Sequence, residues 1–152
     1  MSNNIITIYI CIRFFYILVA NTESMEELRI PQGKNSPEVL LRPDGMIKIK
    51  GRSIHENIIK FYEPVHEWVD EYVKNPVDVT CVDMNFEYLN SASAKALVTV
   101  LDKIASVSLL NKRYIFNWYY EEGDEDILER GEYFASILNV PFNFIKTGNL
   151  KK

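Results

Sequence analysis

The hydrophobic residues of the chain first follow a period of two, which is the spacing of a β-strand with one face in water. Residues 38–42 (EVLLR) and 46–50 (MIKIK) form two such runs, and lysines alternate with isoleucines in the second. Pro43-Asp44-Gly45 between them favours a turn, because proline presets its own φ and glycine accepts a positive φ. The pattern predicts an N-terminal hairpin, preceded by residues 28–30 as either a short strand or a lead into the hairpin.

The spacing then changes to about 3.6 residues, the period of an amphipathic helix. The predicted helix spans residues 56–74, and its apolar stripe consists of Ile58, Tyr62, Val65, Val69 and Tyr72. Pro64 is expected to kink or split this helix, because proline lacks an amide hydrogen and crowds the preceding turn. Asn75-Pro76 ends it.

Strand and helix patterns alternate through the rest of the chain. Residues 77–89 (VDVTCVDMNFEYL) carry apolar side chains at both parities, which predicts a strand buried on both faces. A helix over 91–110, a strand over 112–120, a helix from the acidic residues 121–126 to 138, and a strand over 142–146 follow. The order β-β-α-β-α-β-α-β predicts a single α/β domain with a mixed, mostly parallel sheet.

The first 24 residues differ in kind from the rest. Residues 5–20 (IITIYICIRFFYILVA) are apolar except for Arg13, but this run is shorter than the roughly 20 residues of a spanning helix. Residues 1–4 lack the basic start of a signal peptide. Two interpretations stay open: translation begins at Met25, or residues 1–24 are a weak membrane-associated segment. In both, residues 25–152 form the domain.

The charge and the cysteine content of the chain argue against some classes of function. The net charge is −4 and no basic run occurs, which argues against nucleic-acid binding. The two cysteines, Cys11 and Cys81, give no disulfide framework, and Cys81 in an apolar run predicts a buried free thiol of a reducing, cytoplasmic compartment.

Catalytic and metal-binding patterns are weak. No glycine-rich phosphate loop occurs, and His66, which lies on a predicted helix beside Glu63, Glu67 and Asp70, is typical of a surface pair with a carboxylate. The acidic residues 121–126 lack the ligand spacing of a calcium loop and predict a solvated helix start. The sequence therefore predicts no catalytic residue, no metal and no cofactor.

The junction between the third predicted strand and the second predicted helix carries the strongest functional signal. The strand ends at Leu89, Asn90 suits an N-cap, and Ser91 falls in the first helical turn. This is the sheet edge where α/β proteins place functional sites. Ser91 is either part of a plain cap or a phosphoacceptor, since a helix start stabilises negative charge. Tyr88, Asn90, Ser93 and Lys95 form the surrounding cap and candidate binding surface.

Three stretches of the chain resemble the SiaC family of regulatory phosphoproteins. They are SPEVLLRPDGMIKIKGRSIHEN, YLNSASAKAL and FNWYYEEGDEDILERGEYFASILNVPFNFI, in the order of the family. The resemblance covers about residues 28–145 and leaves out the first 24. More distantly, the strand-Asn-Ser-helix junction resembles STAS domains, the anti-sigma-factor antagonists, although the glycine that commonly follows their serine pair is missing. The resemblance implies a STAS-like fold for the domain.

The resemblance also implies a function. SiaC-like proteins are phosphorylated by a dedicated serine/threonine kinase on the Ser or Thr after a YLN triplet, and a metal-dependent protein phosphatase reverses this. The unphosphorylated form binds a diguanylate cyclase and promotes cyclic di-GMP synthesis in biofilm control. The phosphoacceptor maps onto Ser91, after Tyr88-Leu89-Asn90, with Ser93 as the weaker candidate. The expected protein is thus a non-enzymatic partner-switching regulator.

Two rival functions remain at the level of the sequence. The same fold could serve an anti-sigma-factor antagonist in transcription control. A small enzyme or ligand-binding domain would need a polar pocket with a convergent base or metal, and the sequence names no such set of residues.

Overall fold

The computed structural model describes residues 24–148. The apolar run at residues 5–20 and Cys11 lie outside this part, so both interpretations of the first 24 residues stay as they were. In chain order the described residues form β1 (Leu28–Ile30), β2 (Glu38–Leu41), β3 (Met46–Ser53), α1 (Ile58–Tyr72), β4 (Val79–Leu89), α2 (Ser91–Ala105), a 3₁₀ helix (Ser106–Leu110), β5 (Arg113–Glu121), α3 (Glu125–Leu138) and β6 (Asn143–Thr147). This confirms the mixed α/β domain. None of the described helices has the length and apolar character needed to cross a membrane.

The strands lie in the sheet in the same order as in the chain, from β1 to β6. β1 and β2 pair antiparallel, as do β2 and β3, which confirms the predicted hairpin and makes residues 28–30 a strand. β3, β4, β5 and β6 pair in parallel. Each parallel connection contains one of the helices α1 to α3, and right-handed crossovers between sequential strands put all three on the same face.

The helix-covered face of the sheet holds the core. Val82, Met84 and Phe86 of β4 are buried there, with Phe116 and Trp118 of β5. The buried residues of all three helices belong to the same cluster. The prediction that the β4 region is buried on both faces is wrong, because its alternate residues point to the face that carries no helix.

The uncovered face of the sheet is polar and partly exposed. Lys48, Asp83, Asn117 and Asn143 lie in register across its four parallel strands. Asn117 Nδ2 donates to Asp83 Oδ1 at 2.8 Å, and Asn143 Nδ2 donates to Asn117 Oδ1 at 3.0 Å. Cys81 is on this face and only half-buried, and partial burial together with Asp83 raises the pKa of its thiol. The expected buried thiol is therefore a half-exposed one.

The helix boundaries depart from the predicted ones for local reasons. α1 begins after Asn57, whose side chain accepts from the Lys60 amide at 3.1 Å, and it runs continuously through Pro64 without splitting. The helix predicted over 91–110 is α-helical to Ala105 and then 3₁₀. The hydroxyls of Ser106 and Ser108 bond to carbonyls three residues back, and such bonds compete with regular helix.

α3 contacts the sheet through its one glycine. A Cβ at Gly131 would lie 2.6 Å from the Cδ1 and Nε1 atoms of Trp118. Trp118 is fully buried, and its indole nitrogen donates to the Ile127 carbonyl on the same helix at 2.9 Å. The glycine thus permits the close approach of α3 to Trp118 on β5.

Gly131→Ala should lower the free energy of unfolding by about 1–3 kcal/mol, because the added methyl group must displace a packed indole. Urea unfolding of the purified chain followed by tryptophan fluorescence measures this. Gly148→Ala is the matched control, since a Cβ there meets open space. Equal stability of the two variants would show that α3 can move away from Trp118 at little cost.

Candidate functional site

The start of α2 is fixed by Asn90. Its backbone is extended (φ −79°, ψ 171°), and its side-chain Oδ1 accepts from the Ser93 amide at 2.8 Å. Its carbonyl accepts from the Ala94 amide at 2.9 Å and opens the helical hydrogen-bond series. Asn90 is therefore the N-cap of α2, and Ser91 is the first residue of the helix directly after β4.

Two hydrogen bonds attach this helix start to the end of β3. The Ser53 carbonyl accepts from the Ser93 hydroxyl at 2.6 Å and from the Asn90 amide at 3.2 Å. Ser53 in turn shares a hydrogen bond of 3.1 Å with the hydroxyl of Tyr62 on α1. Burial raises the pKa of Tyr62 to about 12. A buried hydroxyl network thus ties together β3, α1 and the first turn of α2.

The two serines of this turn differ in exposure. Ser93 is fully buried and its hydroxyl is bonded to Ser53. Ser91 is exposed, and its side chain forms no hydrogen bond with any residue between 24 and 148. Of the sequence-predicted neighbours, Tyr88 is 52% exposed and Lys95 is also exposed. Asn90 and Ser93 therefore hold the turn, whereas Tyr88, Ser91 and Lys95 present side chains to solvent.

A cavity of about 340 Å³ lies between α2 and α3, next to Ser91. We call it the α2–α3 cavity; it is lined by Ser91, Ala94, Lys95, Val98, Arg130, Tyr133, Phe134 and Ile137. Sequence reasoning missed Arg130 and Tyr133, which are about 40 positions from Ser91 in the chain. They lie beside it because α2 and α3 both begin at the carboxyl edge of the parallel strands.

An adjoining cavity of about 590 Å³ has a different electrostatic character. Its walls carry Glu87, Asp124, Asp126 and Glu129, with Tyr88 and Tyr133 beside them. Arg130 borders both cavities. The predicted solvated acidic helix start is present here: Asp124 accepts from the Ile127 amide at 3.1 Å as the N-cap of α3.

A third concavity, of about 540 Å³, lies between α1 and α2 on the other side of Ser91. Its wall includes Ile59, His66, Ala92 and Lys95. Ile59 is 85% exposed, and the Nδ1 atom of His66 is buried without a hydrogen-bond partner among the described residues. Burial lowers the pKa of His66, Lys103 lowers it further, and Asp70 raises it. His66 is therefore part of the α1–α2 wall and more enclosed than a surface pair with Asp70.

The lowered pKa of His66 makes stability depend on pH in a defined direction. Its contribution is fully present above the unfolded-state value of 6.5 and is lost as the pH falls below it, since the folded chain resists protonation. From about pH 7.5 to about pH 5.5, the wild type should lose more unfolding free energy than His66→Gln does. Urea titrations at both pH values measure the difference. Equal losses in the wild type and in His66→Gln would contradict the enclosed position of His66.

Within residues 24–148, no three or more His, Cys, Asp or Glu side chains come together in an arrangement that could hold a metal ion. The features that the structure does bring together at this edge are a solvent-facing hydroxyl, two cationic side chains and three concavities. Such an arrangement can accept a covalent modification and present a surface to another protein.

Comparison with known proteins gives consistent matches. A family model described as SiaC family regulatory phosphoprotein matches residues 30–147. An uncharacterized protein of Pseudomonas aeruginosa (strain UCBPP-PA14) is 26% identical over 121 residues, which cover 78% of this chain and 94% of that protein.

Solved structures share the fold. SiaC of Pseudomonas aeruginosa superposes with a TM-score of 0.70 at 22% identity, covering 82% of this chain and 100% of that one. The crystal structure of diguanylate cyclase SiaD in complex with its activator SiaC, from the same organism, gives a TM-score of 0.71 at 24% identity, covering 80% of this chain and 99% of the matched one. Identities this low establish a common fold.

Proposed function

The chain belongs to the SiaC family of regulatory phosphoproteins, and from this premise we propose that it is a non-enzymatic partner-switching protein controlled by phosphorylation of Ser91. The observation that carries the proposal is the difference between two serines of one helical turn. Ser91 is exposed with a free hydroxyl, whereas Ser93 is fully buried and bonded to Ser53. A kinase reaches Ser91 without disturbing the fold, but it would have to open the start of α2 to reach Ser93.

The local chemistry supports a stable phosphorylated form. Phosphoserine carries about −1.5 to −2 charges at neutral pH. At the first turn of α2 this charge meets the positive end of the helix dipole, which favours it by roughly 0.3–1 kcal/mol at an exposed position. Asn90, Ser93 and the buried network behind them are unaffected, so the phosphate changes the surface and leaves the fold intact.

The negative charge of a phosphate on Ser91 is unfavourable for a partner protein that covers the start of α2. Tyr88, Ser91 and Lys95 would lie under such a partner, and it would have to desolvate the phosphate or supply an arginine to pair with it. The family relative SiaC of Pseudomonas aeruginosa is an activator in complex with the diguanylate cyclase SiaD. We infer that the unphosphorylated form of this chain likewise binds and activates a diguanylate cyclase, and so acts in cyclic di-GMP signalling and biofilm control.

The proposed switch requires a kinase and a phosphatase in addition to the cyclase, and a cellular compartment in which all of them occur. We propose a serine/threonine kinase that transfers the γ-phosphoryl group of ATP to Ser91 Oγ, with loss of the hydroxyl proton and release of ADP. A metal-dependent protein phosphatase returns the hydroxyl by hydrolysis. We propose that the chain and these partners act in the cytoplasm, and the half-exposed free thiol of Cys81 agrees with a reducing compartment.

Phosphosite mapping tests the modified residue. The wild-type chain expressed in its own organism should carry phosphate on Ser91, detected by mass spectrometry, and Ser91→Ala should carry none. Because the Ser91 side chain is exposed, Ser91→Ala should change the free energy of unfolding by less than about 0.5 kcal/mol.

Ser93→Ala is the matched control for this experiment. It removes a buried hydrogen bond and should cost about 0.5–1.5 kcal/mol of stability, yet it should still be phosphorylated on Ser91. Wild-type levels of phosphate on Ser91→Ala, or loss of labelling only in Ser93→Ala, would contradict the assignment.

Affinity capture tests the partner. Immobilised wild-type chain should retain a diguanylate cyclase from extracts of its organism, and adding the chain to the purified cyclase should raise its rate of cyclic di-GMP synthesis. Ser91→Asp should weaken both effects, because it places a negative charge where the partner packs. Ser91→Ala, which adds no charge, should retain them.

The identity of the captured protein separates the rival functions. Capture of an anti-sigma kinase together with its sigma factor, with no cyclase, would make the chain an anti-sigma-factor antagonist. Equal binding by Ser91→Asp and the wild type would remove Ser91 from the control of partner binding.

A further inference from the structure

Two cationic side chains line the α2–α3 cavity together with Ser91. Lys95 lies four residues after Ser91 on α2, so the two side chains are on the same side of the helix, one turn apart. Arg130 comes from α3 and forms part of the opposite wall. No acidic side chain belongs to the lining of this cavity.

Neither cation is neutralised within residues 24–148. The Arg130 guanidinium and the Lys95 ammonium group form no ion pair and no hydrogen bond with any described residue. Arg130 is only partly exposed. The nearby acids Asp126 and Glu129 border the neighbouring acidic cavity, as does Arg130 itself. Arg130 therefore lies at the border between the acidic cavity and the cavity beside Ser91, and its donors are unpaired among the described residues.

We propose that Lys95 and Arg130 form the receptor for the Ser91 phosphate, a role that rests on the proposed function of Ser91. The ligand is a phosphate monoester dianion attached to the chain itself. The planar guanidinium of Arg130 can donate two parallel hydrogen bonds to phosphate oxygens, and Lys95 contributes a second positive charge. The cavity between the helices provides the space in which the phosphate lies.

This receptor gives the phosphate a structural effect beyond its charge. An Arg130 that binds the phosphate links the start of α2 to the second turn of α3 and fills the mouth of the α2–α3 cavity. A partner side chain that enters this cavity when Ser91 is unmodified is then excluded by volume as well as by charge. The switch acts through the gap between two helices, while the buried network behind Ser93 stays as it is.

The second pKa of the phosphate on Ser91 tests whether Lys95 and Arg130 bind it. Full-length chain with phosphoserine incorporated at position 91 during translation can be titrated by ³¹P NMR, and the second pKa of phosphoserine is ordinarily about 6. Nearby cations stabilise the dianion, so the wild-type value should lie below that of phosphoserine in a short peptide with the same local sequence. Arg130→Gln and Lys95→Gln should each raise it by roughly 0.2–0.7 pH units.

Two further variants decide the outcome. Arg130→Lys should restore part of the shift, because it returns the charge without the planar fork. Arg113→Gln, at the amino end of β5 on the opposite edge of the sheet, makes the same change in net charge and should leave the value unaltered. A titration unchanged in Arg130→Gln, or a rise seen with Lys95→Gln alone, would overturn the role of Arg130. An equal rise in Arg113→Gln would show a general charge effect and no receptor.

The result of the ³¹P NMR titration does not depend on whether the proposed function is correct. Phosphoserine is built into the chain, so a titration without any shift rejects the receptor even if a kinase modifies Ser91 in cells. Conversely, failure to find phosphate on Ser91 in cells rejects the proposed function, whatever the titration shows.

Discussion

The parallel pairing of β3 to β6 in chain order determines where the helices, the core and the helix starts lie. Right-handed crossovers between sequential strands place α1, α2 and α3 on the same face, so one face of the sheet must be apolar and the other meets water. The alternation in β4 follows directly, with Val82, Met84 and Phe86 in the core and Asp83 and Asn85 on the open side. The same pairing brings the carboxyl ends of the parallel strands to one edge, where both α2 and α3 begin.

The start of α2 is held in place by hydrogen bonds to the end of β3, which is in turn bonded to α1. The Ser53 carbonyl at the end of β3 binds Asn90 and Ser93, and Tyr62 closes the network from α1. Two residues along a helix turn by about 200°, so a Ser93 that faces inward requires a Ser91 that faces outward. The inward serine holds the turn and the outward serine faces solvent, and this difference is a property of one helical turn.

The charged side chains beside Ser91 are positive, whereas the net charge of the chain is negative. The protein carries −4 overall, and the first turn of α3 is acidic. Yet the cavity beside Ser91 is bordered by Lys95 and Arg130, while the acids line the neighbouring one. The net negative charge of the chain therefore does not describe the charge next to Ser91, because the two cations line the cavity beside it and no acidic side chain does.

The hairpin, the order of strands and helices, the cap at Asn90 and the position of Ser91 could all be predicted from the sequence, because period, turn chemistry and capping are local properties. The resemblance of three stretches then identified the family, which physical chemistry alone left open. The packing of the helices on the sheet leaves β4 with one solvent-facing side, Cys81 half-exposed and His66 enclosed, and the sequence did not predict these features because they depend on which face the helices cover. It also places Arg130 and Tyr133 in the lining of the cavity next to Ser91. Nothing in a run of residues reveals that a side chain about 40 positions away is a neighbour; the close approach of α3 at Gly131 and the shared edge of the parallel strands bring it there.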